Sequence, residues 1–174
     1  MKSKIILNTD IADDNWLEAV DFDVIKTAEE LKDLAFQYIA DNVEHELLTL
    51  EKTYNVNVCL SNDDEVHRLN REFRQMDKPT NVLSFANIDD DSFWDTLKQE
   101  TEIDLGDIII AFETLQKEAT LKNITLYAHF CHLLIHGFLH ILGFDHQEDK
   151  EAEQMETLET EILAAFSIDD PYQE

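Results

Sequence analysis

The chain has 174 residues, 44% hydrophobic and 30% charged, which fits one globular domain with a sizeable core. Its formal charge is −26, from 39 Asp and Glu against 13 Lys and Arg, and that balance argues against broad electrostatic binding to nucleic acid or to an anionic membrane. The apolar run near the N-terminus is too short for a signal peptide and no segment is long enough to span a bilayer, so the expectation is a cytoplasmic protein with no membrane partner.

Lys4 to Asn8 reads as a short strand, followed by an acidic loop through Asp23 that carries Trp16. From Val24 onward, apolar residues at 25, 28, 31, 35, 38 and 39 have the spacing of an amphipathic helix. Tyr54 to Leu60 alternates, with Val56, Val58 and Leu60 on one side, the pattern of a half-buried strand. Cys59 and Cys131 each sit in an apolar run, the place of a buried thiol in a reducing compartment. Ser61-Asn62-Asp63-Asp64-Glu65 is a helix-start signal, a capping side chain with acids in the first turn.

That helix carries Arg68, Arg71 and Arg74, all the arginines of the protein, and Lys78 follows in the next loop. In so acidic a chain this basic cluster has two readings. It is either a set of surface ion pairs with Glu65 and Glu72, or an anion site, since guanidinium matches phosphate oxygens in a bidentate way.

Asp77-Lys78-Pro79-Thr80 breaks the helix, and Asn81 to Phe85 reads as a strand. Residues 87–104 hold seven acids and one lysine around Phe93 and Trp94; the expectation is a solvated excursion, with a functional flap as the other reading. Gly106 to Phe112 is a turn feeding a continuous apolar run, the mark of a strand buried on both faces. Phe112 to Lys122 fits a short helix. The segment from Thr125 to Leu142 is apolar nearly all round, which predicts a buried helix through the middle of the domain. A last amphipathic helix turns Ala152, Met155, Leu158, Ile162 and Phe166 inward, with a Glu-rich side read as solvated.

On the central helix, His129, His132, His136 and His140 fall in a stripe roughly 80° wide at about 100° per residue. His136 and His140 are four apart and point the same way, so one metal ion can be gripped from one rigid face. Gly143 can end the helix and reverse the chain, and His146 can then return as a third ligand. Three neutral imidazoles suit zinc and leave the fourth tetrahedral position for water, the pattern of a catalytic site. His132 is placed to orient His136 or a substrate, and His129 reads as packed or exposed. The chain has only three glycines, where average usage of roughly 7% would give about a dozen. Two of them, Gly137 and Gly143, lie in this stretch, where a backbone or close-approach need explains them. The spacing H-x-x-x-H-x-x-G-x-x-H is shared with metzincin proteases, whose second position is the Glu general base. Here it is Gly137, which weighs against a protease of that class.

His136-Gly-Phe-Leu-His140-Ile-Leu-Gly143-Phe-Asp145-His146 resembles the signature of the YbeY family, bacterial zinc-dependent endoribonucleases of ribosomal RNA maturation. The resemblance extends to Leu69-Asn70, Phe73-Arg74, Pro79 to Phe85, Leu105 to Ile108 and the C-terminal Asp169-Asp170-Pro171-Tyr172. It covers the chain from about residue 56 to the end. It implies an α+β fold with a small mixed four-stranded sheet and helices around a central one. It also implies that His136, His140 and His146 hold one Zn2+ per chain, with Arg74 facing the metal cleft. Ala86 departs from the family, which often has Pro there, and the acidic stretches 10–23 and 87–104 match nothing in it.

The expected chemistry is metal-assisted cleavage of an RNA phosphodiester, with Arg74 and His136 as catalytic residues and Arg68, Arg71 and Lys78 as substrate-binding cations. The expected partners are ribosomal RNA or ribosomal particles, with a ribosome-associated protein as a further partner. For the proton acceptor, Asp145, Glu148 and His132 all remain open. Two rival readings are an assembly factor with a structural zinc and a zinc hydrolase of a non-RNA substrate.

Overall fold

A computed structural model describes residues 1–78, 80–145 and 148–173. The alternating segment forms β2 (Thr53–Ser61). It pairs in parallel with β1 (Lys4–Ile11) on one side and with β4 (Glu102–Ala111) on the other. β3 (Val82–Ala86) runs antiparallel to β4, giving a four-stranded mixed sheet in the order β1-β2-β4-β3. With the helices below, this is the expected α+β fold.

Between β1 and β2 the chain forms α1 (Asn15–Glu18) and α2 (Val24–Asn42). The expected acidic loop is therefore only partly a loop. α1 buries Trp16 completely, its ring edge-on to Phe112 and its Nε1–H donated to Ser61 O at 2.8 Å. That bond satisfies the one polar atom a buried indole carries. Asp23 caps α2 by accepting from Lys26 N–H. Ala28, Leu31, Ala35, Phe36 and Ile39 pack inward from α2, while Ile25 stays exposed.

After β2, α3 (Asp63–Arg74) is capped by Asn62, which accepts from Glu65 N–H at 2.9 Å. It ends at Gln75, which takes a left-handed conformation (φ 57°), so the helix stops before the expected break; Pro79 lies outside the described residues. The stretch 87–104 is not a solvated excursion. It contains α4 (Phe93–Gln99), whose Phe93 and Leu97, four apart, are buried. Its acids face water, and Lys52 Nζ donates to Leu97 O and Glu100 O at its C-terminal end, where a cation offsets the free carbonyls. Trp94 remains partly exposed.

Gly106 is also not a turn. β4 begins at Glu102, and its register to β2 shifts between Asn55↔Asp104 and Val56↔Gly106, a bulge that leaves Leu105 extra. Gly106 has φ +141°, and a Cβ there would stand 2.1 Å from Phe85 O of the neighbouring strand. Beyond the bulge, Ile108 and Ile110 face the main core, while Ile109 and Ala111 meet Val66 and Leu83 on the other side. The strand is buried on both faces there, as its composition predicts.

The chain continues through α5 (Phe112–Lys122), α6 (Leu126–Ile141) and α7 (Asp149–Ala164). Thr125 Oγ1 caps α6 by accepting from Ala128 N–H at 3.0 Å. Ten of the 16 residues of α6 are buried, and it packs against α2, α5, α7, β3 and β4, the central position its apolar periphery predicts. A Cβ on Gly137 would come within 2.8 Å of Ile108 Cγ2, so this glycine lets α6 lie close on β4. Among the described residues no single helix is long and apolar enough to cross a membrane.

Candidate active site

α6 brings His136 and His140 one turn apart on the same side, their Nε2 atoms 3.0 Å from each other. The helix then closes with Gly143 N–H donating to His140 O and Phe144 N–H to Leu139 O, both at 3.0 Å. With Gly143 at φ +96°, this is a Schellman end, and the residue without a Cβ sits where the left-handed turn requires it. The turn leads Phe144 and Asp145 to the same cleft as the two histidines. His146, the expected third ligand, and Gln147 lie outside the described residues.

The cleft has a volume of about 500 Å3. His136, His140 and Asp145 line it from α6 and its exit turn, Arg74 and Lys78 from α3 and its following loop, and Ser84 from β3. Arg74 donates an Nη2–H to Ser84 O, and its guanidinium lies 5.2 Å from the centre of the Phe85 ring. Lys78 is held through its backbone: buried Asn70 donates from Nδ2 to Lys78 O at 2.9 Å.

The other two arginines are not in the cleft. Arg68 spans Glu65 (2.6 and 3.1 Å) and Glu72 (2.8 Å), the surface ion-pair arrangement. Arg71 is exposed and has no ion-pair partner among the described residues. The reason is helical geometry: a spacing of three drifts by about 60° per step, so Arg68 and Arg74 point about 120° apart. Of the four expected cations, Arg74 and Lys78 share the cleft with the histidines.

Behind the pair sits a residue that the pattern of α7 concealed. Glu159 is 0% exposed. It accepts from His136 Nδ1 through Oε1 and from the Tyr172 hydroxyl through Oε2. His132 Nε2 lies 3.6 Å from Oε2 and 3.3 Å from the Tyr172 oxygen. Burial pushes the Glu159 carboxyl up, but the His132, His136 and Tyr172 partners outweigh it and hold it at about 2. The group is therefore a carboxylate at neutral pH and can only accept. His136 therefore donates from Nδ1, and in the neutral ring this tautomer presents the Nε2 lone pair on the side facing His140. Position 159 is four after Met155 and three before Ile162, inside the apolar stripe rather than on the Glu-rich side; that acid within a stripe was the available signal. His132 turns toward this network and does not line the cleft.

His129 is buried, as one of its two readings had it. Its Nε2 meets Glu118 Oε1 at 2.9 Å, and Asn81 Nδ2 donates to the same oxygen at 3.0 Å. Among the described residues no group of three His, Cys, Asp or Glu is arranged to hold a metal ion. The two described donors nonetheless suit one. Ligands at roughly 2.0–2.1 Å from a tetrahedral zinc stand a little over 3 Å apart, close to the observed Nε2 separation.

The family model for Endoribonuclease YbeY matches residues 20–167. An Endoribonuclease YbeY of Paramagnetospirillum magneticum is 50% identical over 119 residues, covering 68% of this chain and 71% of that one. A second, from Rhizorhabdus wittichii, is 51% identical over 118 residues, covering 67% and 70%. The chain belongs to the YbeY family. The solution structure of TM1509 from Thermotoga maritima shares the fold, with a TM-score of 0.52 at 24% identity over 99% of both chains.

Proposed function

We propose that this chain is a zinc-dependent endoribonuclease that cleaves ribosomal RNA during its maturation and quality control, with one Zn2+ held by His136, His140 and His146. The observation that carries this reading is the paired Nε2 atoms of His136 and His140 sharing one cleft with Arg74. Family membership and the endoribonuclease names of the relatives support it. When bound, zinc supplies a Lewis acid that polarises a phosphoryl oxygen or lowers the pKa of a water toward ~7. Arg74, oriented by Ser84 O and the Phe85 ring, stabilises charge that builds on the phosphoryl oxygens. Lys78 holds a neighbouring phosphate. Of the three candidate proton acceptors, Asp145 is the one that lines the cleft; Glu148 is not among its lining residues and His132 is turned to Glu159. Ribosomal particles and a ribosome-associated protein are the partners of this reading, and the cytoplasm is its place.

Arg74→Ala tests it. Cleavage of a labelled ribosomal RNA fragment should fall about 100- to 1,000-fold, as when one donor to a developing oxyanion is removed, while zinc content is unchanged. Because Arg68 is tied to its glutamates, RNA binding should show a log–log salt slope of only about −1 to −2. Full activity in Arg74→Ala would remove the cleft from the reaction.

A further inference from the structure

Phe73 is 66% exposed, although it lies three residues beyond buried Asn70, toward the sheet side of α3. Its ring meets the Phe85 ring edge-on, at 6.0 Å between centres and 75° between planes. On the same Phe85 ring rests the Arg74 guanidinium. The three side chains border a groove of about 360 Å3, which shares Arg74, Ser84, Ala86 and Asp89 with the cleft of the histidine pair. A single exposed apolar residue is ordinary. An exposed aromatic face beside a fixed guanidinium, in a groove that opens into a cleft, is the arrangement that stacks nucleobases.

We propose that this groove is a subsite for one unpaired base of the RNA, stacked on Phe73 next to the nucleotide whose phosphate meets Arg74. The inference rests on the endoribonuclease reading above. Charge decides which part of the nucleotide enters. Asp89 and Asp90 also line the groove, and Asp90 is held below the usual carboxylate range by the Ser92 backbone N–H and hydroxyl. Carboxylates there repel a phosphate but accept from the amino groups of a base edge. The phosphate therefore stays on the Arg74 side and the base on the Phe73 side. A paired base keeps both faces stacked inside its helix and cannot use such a platform, so the nucleotide at this position must be single-stranded.

The test uses the zinc-loaded protein and short single-stranded oligoribonucleotides carrying 2-aminopurine, whose fluorescence is quenched on stacking. Phe73→Ala should weaken binding about 5- to 100-fold, the usual worth of one stacked base, and lose the quench at one position. Phe73→Trp should keep both. A series of RNAs with a single abasic residue at each position should contain one that binds wild type and Phe73→Ala equally. Wild-type binding in Phe73→Ala, or the same loss on every abasic RNA, would overturn the subsite while leaving cleavage at the histidines intact. Failure of the wild type to bind or cleave any RNA would overturn the endoribonuclease reading itself. Phe73 is largely in solvent, so an unchanged melting curve should accompany the variant.

Discussion

Gly106→Ala is expected to lose a large part of its folded stability. The added Cβ would stand 2.1 Å from Phe85 O and 3.1 Å from Phe85 C, both backbone atoms that no rotamer change can move. The backbone at φ +141° is itself one that a residue with a side chain rarely adopts. Strain of about 1–3 kcal/mol from the backbone and at least as much from the overlap compare with a total stability of roughly 5–15 kcal/mol. The damage would reach the cleft, because β3 also carries Ser84, which holds Arg74. Gly137→Ala is the control: its Cβ would meet only side-chain atoms, Ile108 Cγ2 at 2.8 Å, so the core must repack but no neighbouring strand backbone is displaced, and a smaller loss of about 1–3 kcal/mol is expected. Urea unfolding of both variants measures this, and a Gly106→Ala midpoint equal to that of the wild type would contradict the bulge.

Glu159→Ala is expected to weaken both the proposed zinc site and the fold. Removal of the carboxylate leaves His136 Nδ1–H and the Tyr172 hydroxyl without their partner and opens a hole under the cleft. A donor that loses its buried acceptor costs up to about 1–3 kcal/mol, and less for the Tyr172 hydroxyl, which still has His132 Nε2 at 3.3 Å. Loss of the group that orients a ligand histidine typically lowers metal affinity about 10- to 100-fold. Glu159→Gln fills the space, but its amide can also present a donor to His136, so it should recover stability better than zinc affinity. Zinc competition against a chelating dye, beside thermal melts, separates the two effects. Equal zinc affinity in wild type and both variants would show that Glu159 only fills space.

Much of this molecule is legible in its amino-acid sequence. The histidine pair, the glycine that ends α6 and the buried strand of β4 announce themselves because each has a geometric need that few residues meet. The fold class and the placement of Arg74 at the cleft came from resemblance, since no local pattern specifies how strands order themselves. What stayed hidden has a common cause. Trp16, Phe93 and Leu97 are anchors set among acids, and short elements with one or two buried side chains leave too few repeats to reveal a period. Glu159 was hidden by its chemistry: a carboxylate on a Glu-rich helix reads as solvated until its partners on α6 are known. Gly106 looked like a turn because a bulge and a turn draw on the same backbone freedom. The arginine triplet divides between surface and cleft because a spacing of three turns about 60° per step on a helix.

The most direct measurement is cleavage of a ribosomal RNA fragment by protein stripped of metal and titrated with zinc, for wild type and His140→Ala. Wild-type activity should be absent in chelator and should return to a plateau at about one Zn2+ per chain, while His140→Ala should neither retain the ion nor cleave. Cleavage that persists in chelator, or His140→Ala matching the wild type in zinc content and rate, would contradict a metal-dependent site at this histidine pair.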